Sequence, residues 1–225
     1  AVQGPKALEA MQTLTDFNLA SLPFYAHTTT SFAGLKNIIV ATTGYTGSGG
    51  VEIYCRNNDV AQLWEAIFKA GEAFGVQPIG LAARDTLRLE MGYCLYGNEI
   101  NDKTNPIEAN LKWAIAKTRR ETGGFNGWEK IKENLEQGTS RIRVGILPEG
   151  KIIAREGTKI FSTNNEEIGT ITSGTFGPSV NAPVAMGYID QKFSEIGANI
   201  KLEVRGKKHN AQVSKLPFYK KSYVK

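Results

Sequence analysis

A glycine-rich segment carries two side chains whose chemistry suits ligand binding. Residues 44–50 have the sequence GYTGSGG, so Tyr45 lies inside the segment and Glu52 follows shortly after it. Glycine adopts backbone conformations that are costly for other residues, which predicts a tight turn or a close approach to a ligand. A carboxylate accepts paired N–H donors with help from its charge, and tyrosine offers a flat ring and a hydroxyl. The same spacing is also typical of an ordinary hairpin with a surface carboxylate.

Two strands should position these side chains. Residues 37–43 (NIIVATT) are rich in β-branched side chains, as strands are. Residues 51–54 alternate in character, which places Glu52 and Tyr54 on one face of a second strand. The glycine segment then joins the two strands as a hairpin and brings Tyr45 and Glu52 near its mouth.

Arg84 belongs to a predicted helix over residues 80–91. The buried side of this helix should include three apolar residues, Leu81, Leu87 and Met91. Arg84 and Arg88 are four residues apart and therefore share a face. The planar guanidinium of Arg84 suits carbonyl and carboxylate oxygens, although a pair with Asp85 or an outward-facing position would also explain it. We interpret Arg88 and Glu90 as a structural ion pair.

Four segments, in order along the chain, resemble one family. Residues 44–53 (GYTGSGGVEI) resemble the G-Y-T-G-x-x-G-x-E-I string of the T protein family of the glycine cleavage system, the tetrahydrofolate-dependent aminomethyltransferases. Residues 79–90, 95–100 and 172–179 are similar to that family's G-L-x-A-R-D-x-x-R-L-E, L-Y-G-x-E/D and T-S-G-x-x-S-P-S segments. Gly177 stands where a serine is usual. The resemblance covers essentially the whole chain.

The resemblance implies a folate site. Glu52 stands where the family glutamate binds folate, and Arg84 matches a folate-site arginine. Tyr45 matches a family tyrosine near the folate, with a packed core tyrosine as the alternative. Tyr223 falls where the family's ending places another folate-contacting tyrosine, but the tail at 217–225 (PFYKKSYVK) departs from the usual P-F-V-P-x-x-Y-Y.

The resemblance also implies a reaction and an incomplete catalytic site. The family transfers a one-carbon unit from the aminomethyl-lipoyl arm of the H protein to tetrahydrofolate and releases ammonia. Its catalytic aspartate lies upstream of every matched motif, and the chain starts roughly 130–140 residues too late to contain it. Asp16 and Asp59 do not lie in the sequence context of that aspartate and are not substitutes for it. We therefore expect no catalytic residue in this chain and an inactive fragment.

Two neighbouring groups within the wider fold family are disfavoured. The folate domains of sarcosine and dimethylglycine dehydrogenases share the architecture, but nothing here suggests a flavin segment. Relatives that maintain iron–sulfur clusters carry a K-G-C-Y-x-G-Q-E string, whereas residues 91–99 have the sequence MGYCLYGNE. A non-catalytic folate-binding or protein-interaction module of the same fold family stays open as the alternative function.

Composition indicates a globular protein. Apolar residues make up 41% and charged residues 22% of the 225, and no apolar run approaches the roughly 18 residues of a membrane helix. The first residues also lack a signal pattern. Cys55 and Cys94 have no metal-ligand spacing, and His27 and His209 are far apart, so no metal site is expected. We expect a reduced, cytoplasmic protein without a membrane partner.

The chain carries a formal charge of +5, and its basic excess gathers near the end. The residues concerned are Arg205, Lys207, Lys208, Lys215, Lys220, Lys221 and Lys225. No aromatic-interleaved motif accompanies them, so nucleic acid is not the favoured partner. A solvated basic face is the favoured interpretation. Through the resemblance, the expected partner is the lipoylated H protein, whose acidic surface could meet basic residues.

Periodicity predicts an α+β fold. Helices are predicted at 5–16, 60–74 (after an Asn58-Asp59 cap) and 128–135, with a strand at 111–116. After Thr139, short strands bounded by Gly, Asn or Pro predict a small barrel or sandwich. They lie at 141–147, 152–154, 158–161, 167–172, 184–189 and 200–204. With the resemblance, we predict a partial antiparallel-sheet folate-binding region with flanking helices (1–138) and a small C-terminal β-barrel (139–225).

Overall fold

An antiparallel sheet organises the first part of the chain. The computed structural model describes residues 1–220, in which residues 1–87 and 88–219 form two compact units. The sheet of the first unit contains β1 (Val2–Gln3), β2 (His27–Phe32), β3 (Leu35–Ala41) and β4 (Gly50–Tyr54) in the order β1-β4-β3-β2. The predicted boundary near residue 139 stays a prediction.

Two helices pack their apolar sides in the core of this unit. They are α1 (Ala7–Gln12) and α2 (Val60–Gly71). Buried residues from both helices and the sheet form that core, among them Met11, Phe32, Ile38, Val40, Val51 and Leu63. Leu63 is buried, and Ile67 and Phe74 pack against this core, which confirms those parts of the predicted apolar stripe at 60–74; Val60 is 54% exposed.

The bounds of the two helices correct the sequence prediction in detail. α1 is shorter than the predicted 5–16, because Gln12 Nε2 donates to the carbonyls of Thr15 (3.1 Å) and Phe17 (2.9 Å) and turns the chain away. Asp59 precedes α2 without a side-chain cap, so the predicted Asn58-Asp59 cap is wrong. A 3-10 turn leads into the helix instead.

The helix α3 (Leu81–Glu90) confirms the predicted helix at 80–91 but not its buried side. Leu81 is 82% exposed because it occupies the first turn, whereas the buried residues are Arg88, Leu89 and Glu90 at the other end. Apolar character at a helix terminus is therefore a poor guide to burial here.

The second unit contains a closed six-stranded barrel, which confirms the predicted C-terminal barrel. Its strands are β5 (Arg141–Pro148), β6 (Lys159–Phe161), β7 (Glu167–Gly177), β8 (Ala182–Asp190), β9 (Asn199–Val204) and β10 (Lys207–Ser214), in the order β10-β5-β8-β7-β6-β9. Buried aliphatic side chains fill it, including Ile146, Ile160, Ile171, Ile189, Ile200 and Leu202. The barrel completes the α+β class that the sequence predicted.

Two barrel segments differ from their predictions. The predicted strand at 152–154 does not form, although Ala154 is buried. Its carbonyl packs so closely on β7 that a Cβ at Gly174 would lie 1.7 Å from it. The last strand, β10, was not predicted, because only Ala211 and Val213 in it are buried.

Between these parts the chain is mostly irregular, with α4 (Lys117–Thr122) and α5 (Trp128–Gln137). α5 confirms the predicted helix at 128–135. The predicted strand at 111–116 is wrong, since a 3-10 turn spans Lys112–Ala114 and leaves Trp113 71% exposed. The cause lies just before it, where Asn110 has a left-handed φ of +59° that interrupts extended structure.

A buried polar network lies in the second unit. Arg88 Nη1 pairs with Glu99 Oε2 at 2.6 Å, and Arg88 Nη2 donates to Ser173 Oγ at 2.8 Å. The predicted Arg88–Glu90 ion pair is wrong, because residues two apart on a helix point in different directions. Glu90 instead accepts the backbone N–H of Ser179 at 2.6 Å.

Cys94 lies near this network, and its reactivity can be predicted. Burial raises the pKa of the Cys94 thiol, and the nearby Glu99 carboxylate adds to the effect against the opposing Arg143 and Arg88. Because the thiolate is the nucleophile, we expect iodoacetamide to modify Cys94 at least about tenfold more slowly than an accessible thiol at pH 7.5. The rate should rise as the pH is raised. Mass spectrometry of a Cys55→Ser variant measures it, and a rate equal to that of the denatured protein would contradict the prediction.

Candidate functional site

The predicted hairpin is present in the first unit. β3 and β4 pair antiparallel with Ala41 opposite Glu52, and residues 42–49 connect them. The first strand ends at Ala41 rather than at residue 43 as predicted. The glycine segment therefore forms the hairpin connection, with Tyr45 in it and Glu52 in the strand that leaves it.

A cavity of about 660 Å³ brings Tyr45, Glu52 and Arg84 together. Its other walls are largely apolar and come from α2, from the connection after it and from the start of α3. They include Trp64, Phe68, Phe74, Val76, Ile79 and Leu81. This volume and this mixture of apolar walls with a few polar groups are typical of small-molecule sites.

Arg84 lies against the ring of Tyr45. The guanidinium carbon is 4.3 Å from the ring centroid, which is a cation–π arrangement. Tyr45 is half-buried and lines the cavity, so it is not the packed core tyrosine of the alternative interpretation. Arg84 is exposed and also lines the cavity.

Glu52 is oriented by Thr43. The Thr43 hydroxyl donates a short hydrogen bond to Glu52 Oε2. The other carboxylate oxygen, Oε1, has no hydrogen-bond partner among residues 1–220. Because Glu52 is half-buried and lines the cavity, this oxygen is available to accept N–H groups from a ligand.

Sequence reasoning missed the residues that hold these groups in place. Thr43 looked like the end of a strand, and nothing in its type or spacing marked its contact with Glu52. Gln3 and Thr46 also line the cavity. Gln3 is 40 positions from the loop that it contacts, so no local pattern could have indicated its place.

The remaining predictions concern Tyr223, a metal site and a membrane helix. Tyr223 lies outside the residues that the structure describes. Within residues 1–220, no group of three His, Cys, Asp or Glu side chains could hold a metal ion. Over the same range, no helix has the length and apolar character needed to cross a membrane.

The basic surface is present on the barrel and after it. Arg205, Lys207, Lys208, Lys215 and Lys220 are exposed. One of these residues, Lys208, contacts its neighbours: its Nζ donates to Asn165 Oδ1 at 3.3 Å and lies over the ring of Phe161. This is compatible with the solvated basic face expected from the sequence.

Comparison with known proteins gives the family. The family description "GCVT N-terminal domain" matches residues 1–119, and "Glycine cleavage T-protein C-terminal barrel domain" matches residues 141–220. The chain belongs to the glycine cleavage T-protein family, whose curated relatives are aminomethyltransferases, a class of transferase.

Individual relatives agree with this assignment. The aminomethyltransferase of Flavobacterium psychrophilum is 48% identical over 98% of this chain, and that of Bacteroides fragilis is 45% identical over the same share. The crystal structure of glycine cleavage system aminomethyltransferase T from Bartonella henselae matches 89% of this chain with a TM-score of 0.81 and 40% identity. The chain spans 60% of the length of those two curated relatives and 54% of the crystallised protein.

Proposed function

We propose that the cavity around Tyr45, Glu52 and Arg84 binds tetrahydrofolate. The observation that carries the proposal is their placement in one cavity, in a chain of the T-protein family. Their positions resemble those of the family's folate site, as does that of Tyr223 outside the described residues, and the three come from two separate segments of the sequence. An ordinary hairpin with a surface carboxylate gives no reason for Arg84 to join them.

Each side chain has a task that its chemistry suits. The edge of a pteridine presents N–H donors, which the carboxylate of Glu52 can accept with help from its charge. The ring of Tyr45 offers a flat apolar face, and the guanidinium of Arg84 offers planar N–H donors to carbonyl or carboxylate oxygens. Together they would hold the ring system in one orientation.

We further propose that the site serves aminomethyl transfer, as the names of the relatives indicate. A one-carbon unit would pass from the aminomethyl-lipoyl arm of the H protein to tetrahydrofolate, with release of ammonia. Such a transfer needs the donor held within about 3–3.5 Å of the accepting nitrogen. The exposed basic residues after position 204 suit an acidic H-protein surface. A cytoplasmic location is part of the same proposal.

These residues bind and orient, but none of them is assigned to the chemical step. The family's catalytic aspartate is not among the motifs present in the 225 residues. We therefore expect the chain alone to bind tetrahydrofolate without turnover. The assay is turnover with lipoylated H protein and tetrahydrofolate, and full turnover by this chain would place the missing acid within it.

The second candidate is a non-catalytic folate-binding or protein-interaction module. The observation that favours it is that Tyr45, Glu52 and Arg84 in the cavity are suited to binding, while none of them is assigned to the chemical step. A calorimetric titration with tetrahydrofolate and a second with lipoylated H protein distinguish a folate site from a pure protein-interaction module. Binding of H protein without any binding of folate would favour the interaction module.

Replacing Arg84 with lysine tests the shape of its contact. The substitution keeps the charge but removes the planar fork and its stacking on Tyr45. We expect affinity for tetrahydrofolate to fall about tenfold, nearly as far as in Arg84→Ala, because about 1–2 kcal/mol of directed contact is lost. Calorimetry measures it, with Arg56→Lys as an exposed control outside the cavity. A lysine variant with wild-type affinity would show that Arg84 acts only as a charge.

A further inference from the structure

The glycine segment is folded around the side chain of Gln3. Gln3 Nε2 donates to the carbonyls of Thr43 (3.1 Å) and Val51 (3.3 Å). On the other side of the same amide, Oε1 accepts the hydroxyl of Thr46 at 3.0 Å. The Gln3 side chain thus contacts Thr43 and Thr46, on either side of residues 44–45, and also Val51 in the strand that leaves the loop.

The glycines at both ends of the segment allow this close approach. A Cβ at Gly44 would lie 1.9 Å from Gln3 Oε1, and a Cβ at Gly50 would lie 2.3 Å from the carbonyl of Val2. Gly50 also has a φ of +152°, where a side chain is strained. Gly50 pairs with Gln3 in the sheet, which fixes the backbone that carries the amide. The glycine spacing is therefore explained in part by the glutamine and not only by the turn.

The partners determine which way the amide points. The carbonyls of Thr43 and Val51 can only accept, so the NH₂ group must face them, and Oε1 faces the Thr46 hydroxyl. The hydroxyl of Thr43 in turn donates to Glu52, and the hydroxyl oxygen of Thr46 accepts the N–H of Ser48 at 3.1 Å. A continuous set of contacts therefore runs from Gln3 through the loop to the proposed ligand-binding carboxylate.

We propose that Gln3 is a positioning residue of this site. Its amide holds residues 43–46 in the shape that places Tyr45 against Arg84 and the Thr43 hydroxyl on Glu52. The loop-holding role is independent of the ligand, and only the identity of the ligand rests on the function proposed above.

The discriminating variant is Gln3→Glu, which keeps the shape but turns the two N–H donations into contacts between oxygens. Gln3→Met, of similar length and without hydrogen bonds, is the second variant. The matched control is Gln62→Glu, because Gln62 lies in the same unit, is exposed and, among residues 1–220, donates only to the carbonyl of Ala33. Unchanged amide exchange across α2 shows that each variant is folded.

The first measurement is amide hydrogen exchange of residues 42–52 without ligand. Both Gln3 variants should exchange at least about tenfold faster there. Gln3→Glu loses the N–H donations to the carbonyls of Thr43 and Val51, and Gln3→Met also loses the contact with the Thr46 hydroxyl. The Gln62→Glu control should match the wild type. At pH below about 4.5 the introduced carboxyl gains a proton that it can donate. The difference between Gln3→Glu and wild type, compared at equal pH, should then shrink, whereas Gln3→Met should stay fast.

The second measurement is affinity for tetrahydrofolate, expected to fall about tenfold in both Gln3 variants at pH 7. Unchanged loop exchange in both variants overturns the proposal. Faster exchange with unchanged affinity overturns the positioning role as well. If the wild-type chain binds no tetrahydrofolate but the Gln3 variants still exchange faster, the loop-holding role is supported and the proposed function is overturned instead.

Discussion

Replacing Arg88 with methionine should lower the free energy of unfolding by about 3–5 kcal/mol, because it leaves a buried charge without its ion-pair partner. Arg88 and Glu99 are both 1% exposed and are joined at 2.6 Å. Without the guanidinium, the side-chain donors and N–H groups left to the carboxylate within residues 1–220 are the Thr172 hydroxyl at 2.7 Å and the Leu95 N–H at 2.9 Å. Urea unfolding in a Trp64→Phe background, followed by the fluorescence of the tryptophans at 113 and 128, both in the second unit, measures the loss.

A matched exposed pair provides the control. Lys130 and Glu133 are 2.7 Å apart but largely exposed, so Lys130→Met should cost less than about 1 kcal/mol. The double variant Arg88→Met/Glu99→Gln removes both charges and should recover part of the loss. If the free energy of unfolding of the Arg88→Met protein were within about 1 kcal/mol of the wild-type value, the buried ion pair would not stabilise the fold as expected.

Replacing Glu52 should have the largest effect on ligand affinity. Glu52→Ala removes the charged acceptor and should weaken tetrahydrofolate binding about ten- to a hundredfold, which corresponds to about 1.5–3 kcal/mol. Glu52→Gln keeps the size of the side chain, and its loss of affinity should fall within the same range, since the amide oxygen accepts without a charge. Calorimetric titration gives the dissociation constants.

The control for Glu52 is Glu65→Ala on α2, which removes an exposed carboxylate that does not line the cavity. It should bind as the wild type does. An unchanged dissociation constant for Glu52→Ala would remove Glu52 from the site, even if the protein as a whole binds folate.

The parts of the fold that the sequence predicted correctly are those determined by neighbouring residues. The hairpin followed from β-branched strands on either side of the glycine segment, and α2 followed from apolar residues at helical spacing. The helix ends through a 3-10 turn at Gly75, whose φ of +73° suits a glycine. The barrel followed from short strands at regular intervals, because each strand carries its own inward-facing aliphatic residues.

Two of the errors share one physical cause, which is dependence on distant residues. Arg88 was assigned to Glu90 because the two are near in sequence, but its partner Glu99 is eleven positions away on an irregular segment. Ala154 looked like part of a strand because it is apolar, and its burial comes from packing on Gly174. Contacts across the fold decided both outcomes, and local pattern carries no information about them.

The candidate site also contains residues that the sequence indicates and residues that it does not. Tyr45, Glu52 and Arg84 could be singled out from their segments, whereas Thr43 and Gln3 act through contacts that only the folded chain creates. A side chain that binds a ligand tends to stand in a recognisable motif. A side chain that holds the motif in place need not be near it in the sequence.

The central claim is that tetrahydrofolate binds at the hairpin of residues 42–54 and at α3. The most direct test is a titration of the ¹⁵N-labelled chain with tetrahydrofolate, followed by two-dimensional NMR. We expect saturable shifts in the amide resonances of residues 43–54 and 81–87, with the barrel strands from Arg141 onward unchanged. Saturable shifts confined to the barrel, or no shifts at millimolar tetrahydrofolate, would contradict the account.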